Sequence, residues 1–194
     1  MHNQRKVFID CGSNVGDTIE MFLKKFDSAE TYDIFAFEPN QRLTKKYHYE
    51  NTVIIEKAVW IKDESKDFYV GRKNRHATNS RIGDFIKGRK REKFKREPIT
   101  VDCIDFSSWI KNNLSKEDYI IVKFDIEGCE YDVLQKMIKD NSMTYINKIY
   151  IEFHHTHEYT PSPDGENIMK LISDMGIDAF ANVNGGVEFK AMFR

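Results

Sequence analysis

The chain predicts an α/β fold with a mainly parallel sheet and a C-terminal antiparallel hairpin, and three observations carry that expectation. Short apolar runs of strand length alternate with segments of helical periodicity, the pattern of successive βαβ units. One run, Tyr119–Phe124, is apolar at nearly every position, as a central parallel strand buried on both faces must be. Near the end, Asn184-Gly185-Gly186 separates two further strand-like runs, and a connection so rich in glycine favours a tight antiparallel turn.

In chain order, Lys6–Asp10 reads as the first strand and Asp17–Phe26 as a helix with Ile19, Phe22, Leu23 and Phe26 on one face. Tyr32–Phe37 is the second strand, ended by Glu38-Pro39 because proline has no N–H with which to continue a ladder. Gln41–Tyr49 reads as a helix, Thr52–Trp60 as a third strand and Phe68–Val70 as a short extra one. From Gly71 to Glu97 the sequence is irregular and polar, and it holds the one strong charge run, within residues 87–97. Such a run is either a solvated loop or a contact for a phosphorylated or polyanionic substrate. Strand character resumes at Ile99–Ile104, followed by a short helix at Phe106–Leu114 and the apolar strand Tyr119–Phe124. A helix over Cys129–Lys139 offers Val133, Leu134, Met137 and Ile138 to the core. Lys148–Phe153 is the next strand, Asp164–Met175 a helix, and Ile177–Val183 and Val187–Phe193 close the chain as two strands. No repeat and no linker-like stretch intervenes, so one domain over residues 1–194 is expected.

Thirty basic residues stand against thirty-one acidic ones, a formal net charge of −1. That balance excludes nucleic-acid binding through overall basicity. No apolar run approaches the roughly 18 residues of a membrane span, so no membrane partner is expected. The polar start of the chain runs directly into Val7-Phe8-Ile9 and does not read as a secretory signal. Three cysteines, Cys11, Cys103 and Cys129, form no CxxC pair and read as free thiols of a reducing compartment. A cytoplasmic enzyme is the expectation.

The most informative segment is Asp10-Cys-Gly-Ser-Asn-Val-Gly-Asp-Thr, directly after the first strand. Gly12 and Gly16 let the backbone turn sharply and approach a ligand closely, and the helix that follows offers free N–H groups at the turn. Glu38, at the end of the second strand, is placed either to accept hydrogen bonds from the ribose hydroxyls of an adenosine or to be an ordinary solvated acid. A dinucleotide would set its pyrophosphate on the glycine turn. Here the turn begins with Asp10 and ends with Asp17, whose carboxylates would repel it, and the strict GxGxxG pattern is missing. S-adenosylmethionine carries no phosphate but does carry a sulfonium and an ammonium, which suit an acidic pocket. A tight strand-to-helix turn with no ligand is the alternative.

A second acidic cluster, Asp125-Ile-Glu127-Gly-Cys-Glu130, sits where the buried strand gives way to a helix. Ligands of open α/β sheets bind at the carboxyl ends of the strands, so Asp125 and Glu127 share an edge with Asp10 and Glu38. An acid closing an apolar strand is costly without a partner, which favours a function for Asp125. Glu130 falls in the first helical turn, where the dipole alone favours an acid. The next strand ends in Glu152-Phe-His154-His155-Thr-His157-Glu158. Those histidines are open to three readings: an acid/base group, metal ligands, or polar residues of an exposed loop.

Four segments together resemble the FkbM family of S-adenosylmethionine-dependent methyltransferases: Phe8-Ile-Asp-Cys-Gly-Ser-Asn-Val-Gly-Asp, Phe37-Glu-Pro-Asn, Val101-Asp-Cys-Ile-Asp and Val122-Lys-Phe-Asp-Ile-Glu-Gly-Cys-Glu. The last, close to the family's K-x-D-x-E-G-x-E, is the most specific. The resemblance implies a class I methyltransferase (Rossmann-like) fold and methylation of a hydroxyl oxygen, often on a sugar. It implies that Asp10, Gly12, Asn14 and Gly16, with Asp17 closing the turn, hold the methionine part. Glu38 would hold the ribose, Ala58 and Val59 would lie near the adenine, and Asp125 and Glu127 near the transferred methyl group. The first strand lies at the start of this chain, where many members carry an N-terminal extension.

The expected reaction is therefore methyl transfer to a hydroxyl of a sugar or glycan, with Asp125, Glu127 and His154, in that order, as candidate general bases and no metal required. Three rivals stay open: a Mg²⁺-assisted sugar methyltransferase using Asp125, Glu127 and nearby histidines, an RNA methyltransferase using the basic run at residues 87–97, and a nicotinamide-dependent reductase. Trp60, Trp109 and Tyr69 are each either core residues or platforms for a sugar face.

Overall fold

A computed structural model describes residues 4–70, 81–82, 98–156 and 158–182. The main sheet has six strands, β1 (Lys6–Cys11), β2 (Tyr32–Phe37), β3 (Thr52–Ile55), β8 (Tyr119–Phe124), β9 (Lys148–Glu152) and β10 (Asp178–Asn182). Their order is β10-β9-β8-β1-β2-β3, and every neighbouring pair is parallel. The chain thus builds outward from β1 on one side and returns to build outward from β8 on the other. The crevice between the carboxyl ends of β1 and β8 is the switch point where such sheets bind ligands. The Rossmann-like α/β expectation holds.

Helices α1 (Asp17–Lys25), α2 (Gln41–Thr44), α3 (Phe106–Asn113), α4 (Glu130–Lys139) and α5 (Glu166–Asp174) connect the strands. Because side chains alternate along a strand, β1 and β8 feed two cores. Val7, Ile9, Val122 and Phe124 join Phe106, Ile110, Leu134 and Met137 on one face, while Phe8 and Ile121 pack with Ile19, Phe22 and Ile34 on the other. On that second face Phe8 and Phe22 stack with ring centroids 4.1 Å apart. None of the helices among the described residues is long and apolar enough to cross a membrane.

A second sheet joins β4 (Ala58–Trp60), β7 (Ile99–Asp105), β5 (Glu64–Tyr69) and β6 (Arg81–Ile82), in that order. Its β4–β7 pair is parallel, and β5 is antiparallel to both β7 and β6. This sheet corrects the single strand expected over Thr52–Trp60. Thr52–Ile55 pairs with β2 at the edge of the main sheet, whereas Ala58–Trp60 leaves to pair with β7 and is buried throughout. The extra strand expected at Phe68–Val70 begins earlier, because Glu64–Phe68 pairs with Ile99–Cys103. The helix expected over Gln41–Tyr49 stops at Thr44. Asn40 Oδ1 caps its start by accepting from Arg42 N at 3.2 Å, but Tyr47 is drawn away to bury its ring against Gly16.

At the C-terminus the strand expected over Ile177–Val183 is present as β10, parallel to β9. The hairpin turn expected at 184–186, the strand expected over 187–193, the basic run at 87–97 and His157 lie outside the described residues.

Candidate active site

The glycine turn is shaped by how close two strand exits come. Gly12 follows β1 with φ +83°, and a Cβ on it would stand 1.9 Å from the carbonyl oxygen of Asp125, at the exit of β8. Only glycine permits that approach. The N–H groups of Gly12 and Ser13 both donate to the Phe37 carbonyl at 3.0 Å, and Asp125 N donates to the Cys11 carbonyl at 3.1 Å. The exits of β1, β2 and β8 are thereby tied into one rim. Gly16, with φ +86°, lies against the Tyr47 ring, where a Cβ would come within 2.7 Å. Its glycine is required by that packing, and it does not line the cleft. Asp17 opens α1 as an exposed residue away from the cleft.

Beneath the rim is a buried ion pair. Asp10 and Lys123 are partners in the β1–β8 register, so their side chains emerge side by side on one face. Their side chains are 0% and 2% exposed, and Lys123 Nζ stands 2.9 Å from Asp10 Oδ1. The same ammonium donates to the Gly12 carbonyl at 3.1 Å and lies 3.6 Å from Asp125 Oδ2. Burial raises the Asp10 carboxyl, opposed by Lys123. Burial also works against the Lys123 ammonium, but Asp10 and Asp125 outweigh it and hold it above the ordinary lysine value. Asp10 therefore acts from below the glycine turn and does not line the cleft.

Above the pair opens a cleft with about 110 Å³ of accessible volume, open to solvent at its mouth. Gly12, Asn14, Phe37, Glu38 and Pro39 line one side, and Asp125, Ile126, Glu127 and Cys129 another. Ala58, Val59, Phe68 and Ile82 of the second sheet supply an apolar wall. Of the expected cofactor residues, Gly12, Asn14, Glu38, Ala58 and Val59 thus come together here. Phe68 and Ile82 were not foreseen, since only the second sheet brings them in. Glu38 is 6% exposed, and its Oε2 and Oε1 accept the N–H groups of Asn14 at 3.1 Å and Asn40 at 2.8 Å. Burial pushes its carboxyl up to about 7 in spite of those two donors. Asn14, at φ 51°, keeps a buried Oδ1 that accepts no hydrogen bond from the described residues.

The fourth strand exit, after β9, brings His154 to the same rim. Its Nδ1 is 2.9 Å from Oε1 of the fully buried Glu130. Its Nε2 faces Asp125 Oδ1 at 3.7 Å, Glu127 Oε2 at 3.6 Å and Glu152 Oε1 at 3.9 Å. Burial alone would lower the imidazole; Glu130, Glu127 and Asp125 override it and raise the pKa to about 9, so the ring is cationic at neutral pH. Burial and Asp125 raise Glu152. Donor atoms of Asp125, Glu127 and His154 all lie within 4.8 Å of one another, close enough to share one divalent cation. His155 turns its Nδ1 to the Thr156 carbonyl at 2.6 Å. Of the expected aromatic platforms, Trp60 and Tyr69 are buried, and Trp109 packs edge-on against Phe35 and Phe37.

The methyltransferase FkbM domain matches residues 10–178, most of the chain, so this protein belongs to the FkbM methyltransferase family and is a methyltransferase. No curated protein and no solved structure matches it.

Removing one partner of a buried ion pair strands the other. Lys123→Met is expected to lower the unfolding free energy by about 3–5 kcal/mol at neutral pH. Adding Asp10→Asn should recover part of that loss, as read by denaturant titration of both variants.

Proposed function

We propose that this protein transfers a methyl group from S-adenosylmethionine to a hydroxyl oxygen of a sugar or glycan. The observation that carries the reading is an acid-rimmed cleft at the switch point of a parallel sheet, with a buried acceptor, Asn14 Oδ1, left without a donor among the described residues. A ligand with an ammonium, two ribose hydroxyls and a flat base answers that set. Asn14 Oδ1 would take an N–H, Glu38 has acceptor capacity beyond its two backbone N–H groups, and Ala58, Val59, Phe68 and Ile82 would cover the base. When bound, the cofactor supplies an electrophilic methyl carbon on a positively charged sulfur, and the carboxylates of the rim favour that charge. A pyrophosphate in the same place would meet Glu38, Asp125 and Glu127.

This chain's residues then have distinct tasks. Lys123 and Asp10 hold the turn from beneath. Asp125 accepts the proton that the acceptor hydroxyl loses, with Glu127 next to it. His154 is already protonated near neutral pH, so it serves as a donor between the two carboxylates more readily than as a base. The acceptor-only oxygens of Asp125, Glu127 and Glu152 suit a ring that presents neighbouring hydroxyls, which supports a sugar. All three cysteines are buried thiols, which supports a reducing, cytoplasmic setting.

A second reading, Mg²⁺-assisted transfer, is favoured by the convergence of Asp125, Glu127 and His154. A divalent cation there would polarise the acceptor oxygen. Turnover that disappears in EDTA and returns with Mg²⁺ selects this reading, and turnover indifferent to EDTA selects the metal-free one.

Two further outcomes are expected. Asp125→Asn should lower kcat by about 10²–10⁴-fold, well beyond the weaker cofactor binding that losing one rim carboxylate brings, in a methyl-transfer assay read by mass spectrometry. Near-normal turnover removes Asp125 from the mechanism. Cofactor affinity measured by calorimetry should rise with pH through about 7 and then level off. The sign follows because a cationic ligand favours ionised Glu38, so binding below that pH must first displace a proton. Glu38→Gln should flatten the dependence.

A further inference from the structure

We propose that Glu130 is a positioning residue for the hydroxyl chemistry, a single buried carboxylate that sets both halves of the acid–histidine cluster. The inference rests on the reading that Asp125, Glu127 and His154 handle the acceptor hydroxyl. An acid in the first turn of a helix is ordinarily explained by the helix dipole. Glu130 has further partners that this does not explain. It is 0% exposed, and its Oε1 accepts the N–H of Ile126 at 2.9 Å while Oε2 accepts that of Gly128 at 2.8 Å. Those two residues flank Glu127, whose φ of 58° lies in the left-handed region that side chains other than glycine seldom adopt. Glu130 thus clamps the backbone on both sides of the strained residue and holds Asp125 and Glu127 at the mouth of the cleft.

The other half comes from a different strand. His154 follows β9, and Oε1 of Glu130 takes up its Nδ1 at 2.9 Å. With that nitrogen engaged, Nε2 is the one turned to Asp125 and Glu127. Behind a metal-ligating histidine, a carboxylate fixes the ring's orientation and which nitrogen faces the reaction, and its loss typically costs about 10–100-fold in metal affinity or activity; Glu130 stands in the same relation to His154. The amide introduced by Glu130→Gln could not substitute: one of its two heads is an NH₂ donor, while the backbone N–H groups of Ile126 and Gly128 both need acceptors.

The test compares wild type, Glu130→Gln, His154→Gln and the double variant. The readouts are kcat, the dissociation constant of S-adenosylhomocysteine and the imidazole ¹⁵N NMR signals of His154. Glu130→Gln should lower kcat about 10–100-fold with little change in that dissociation constant, and it should alter the Nδ1 signal of His154. If Glu130 acts through His154, the double variant should be no slower than the slower single one. Wild-type kcat in Glu130→Gln, an unchanged Nδ1 signal, or losses that multiply would each overturn the inference. Should Glu130→Gln fail to fold, His154→Gln leaves the backbone clamp intact. A wild-type His154 spectrum without a hydrogen-bonded Nδ1 would then overturn it. A wild type that shows this signature yet methylates no hydroxyl instead overturns the reading on which the inference rests.

Discussion

Placing a lysine and an aspartate in the interior of a parallel sheet costs several kcal/mol per ion unless each meets the other with good geometry. In this fold the strand register satisfies that condition, because Asp10 of β1 and Lys123 of β8 are lateral neighbours at the place where the strand order reverses. The ammonium then reaches the Gly12 carbonyl and stands near Asp125, so one buried cation links the glycine turn to the acidic loop. Gly12 completes the link, since its missing Cβ lets the two exits close on each other. The glycine-turn side and the Asp125–Glu127 side of the cleft are built on these two contacts.

Around them the balance of charge is uneven. Asp10, Glu38, Asp125, Glu127, Glu130 and Glu152 converge on the carboxyl edge, and Lys123 and His154 are the cations that the described residues set among them. The titrating groups respond accordingly. Burial and neighbouring acids raise Asp10, Glu38 and Glu152, while the same acids raise Lys123 and His154 against burial. A concentration of perturbed groups in one cleft is the mark of a functional site, and here their common sign favours a positively charged guest.

Much of the frame was legible in the sequence because burial imposes composition. The bounds of Tyr119–Phe124 are legible because a strand covered on both faces is apolar at nearly every position, and those of Tyr32–Phe37 because Glu38-Pro39 ends its ladder. The strand β5 was largely missed because Glu64, Ser65, Lys66 and Asp67 are polar, and their pairing with β7 is a long-range fact. The apolar run from Thr52 to Trp60 concealed a change of sheet for the same reason. At the site, the rule that ligands gather at strand carboxyl ends located Glu38, Asp125, Glu127 and His154. It did not separate residues that line the cleft from those that support it: Asp10 lies below, Gly16 serves Tyr47, and Asp17 is outside. The central role of Lys123 had a signal that could have been used. A lysine between Val122 and Phe124 in an otherwise apolar strand requires a buried partner, and the acid one position from the end of β1 is the natural one.

The most direct measurement is equilibrium binding of S-adenosylmethionine to the wild-type protein by titration calorimetry, with NAD titrated in parallel. One site is expected for the sulfonium compound and none for the dinucleotide. Heat from NAD alone, or from neither, would contradict the claim that this acidic edge is shaped for a cation.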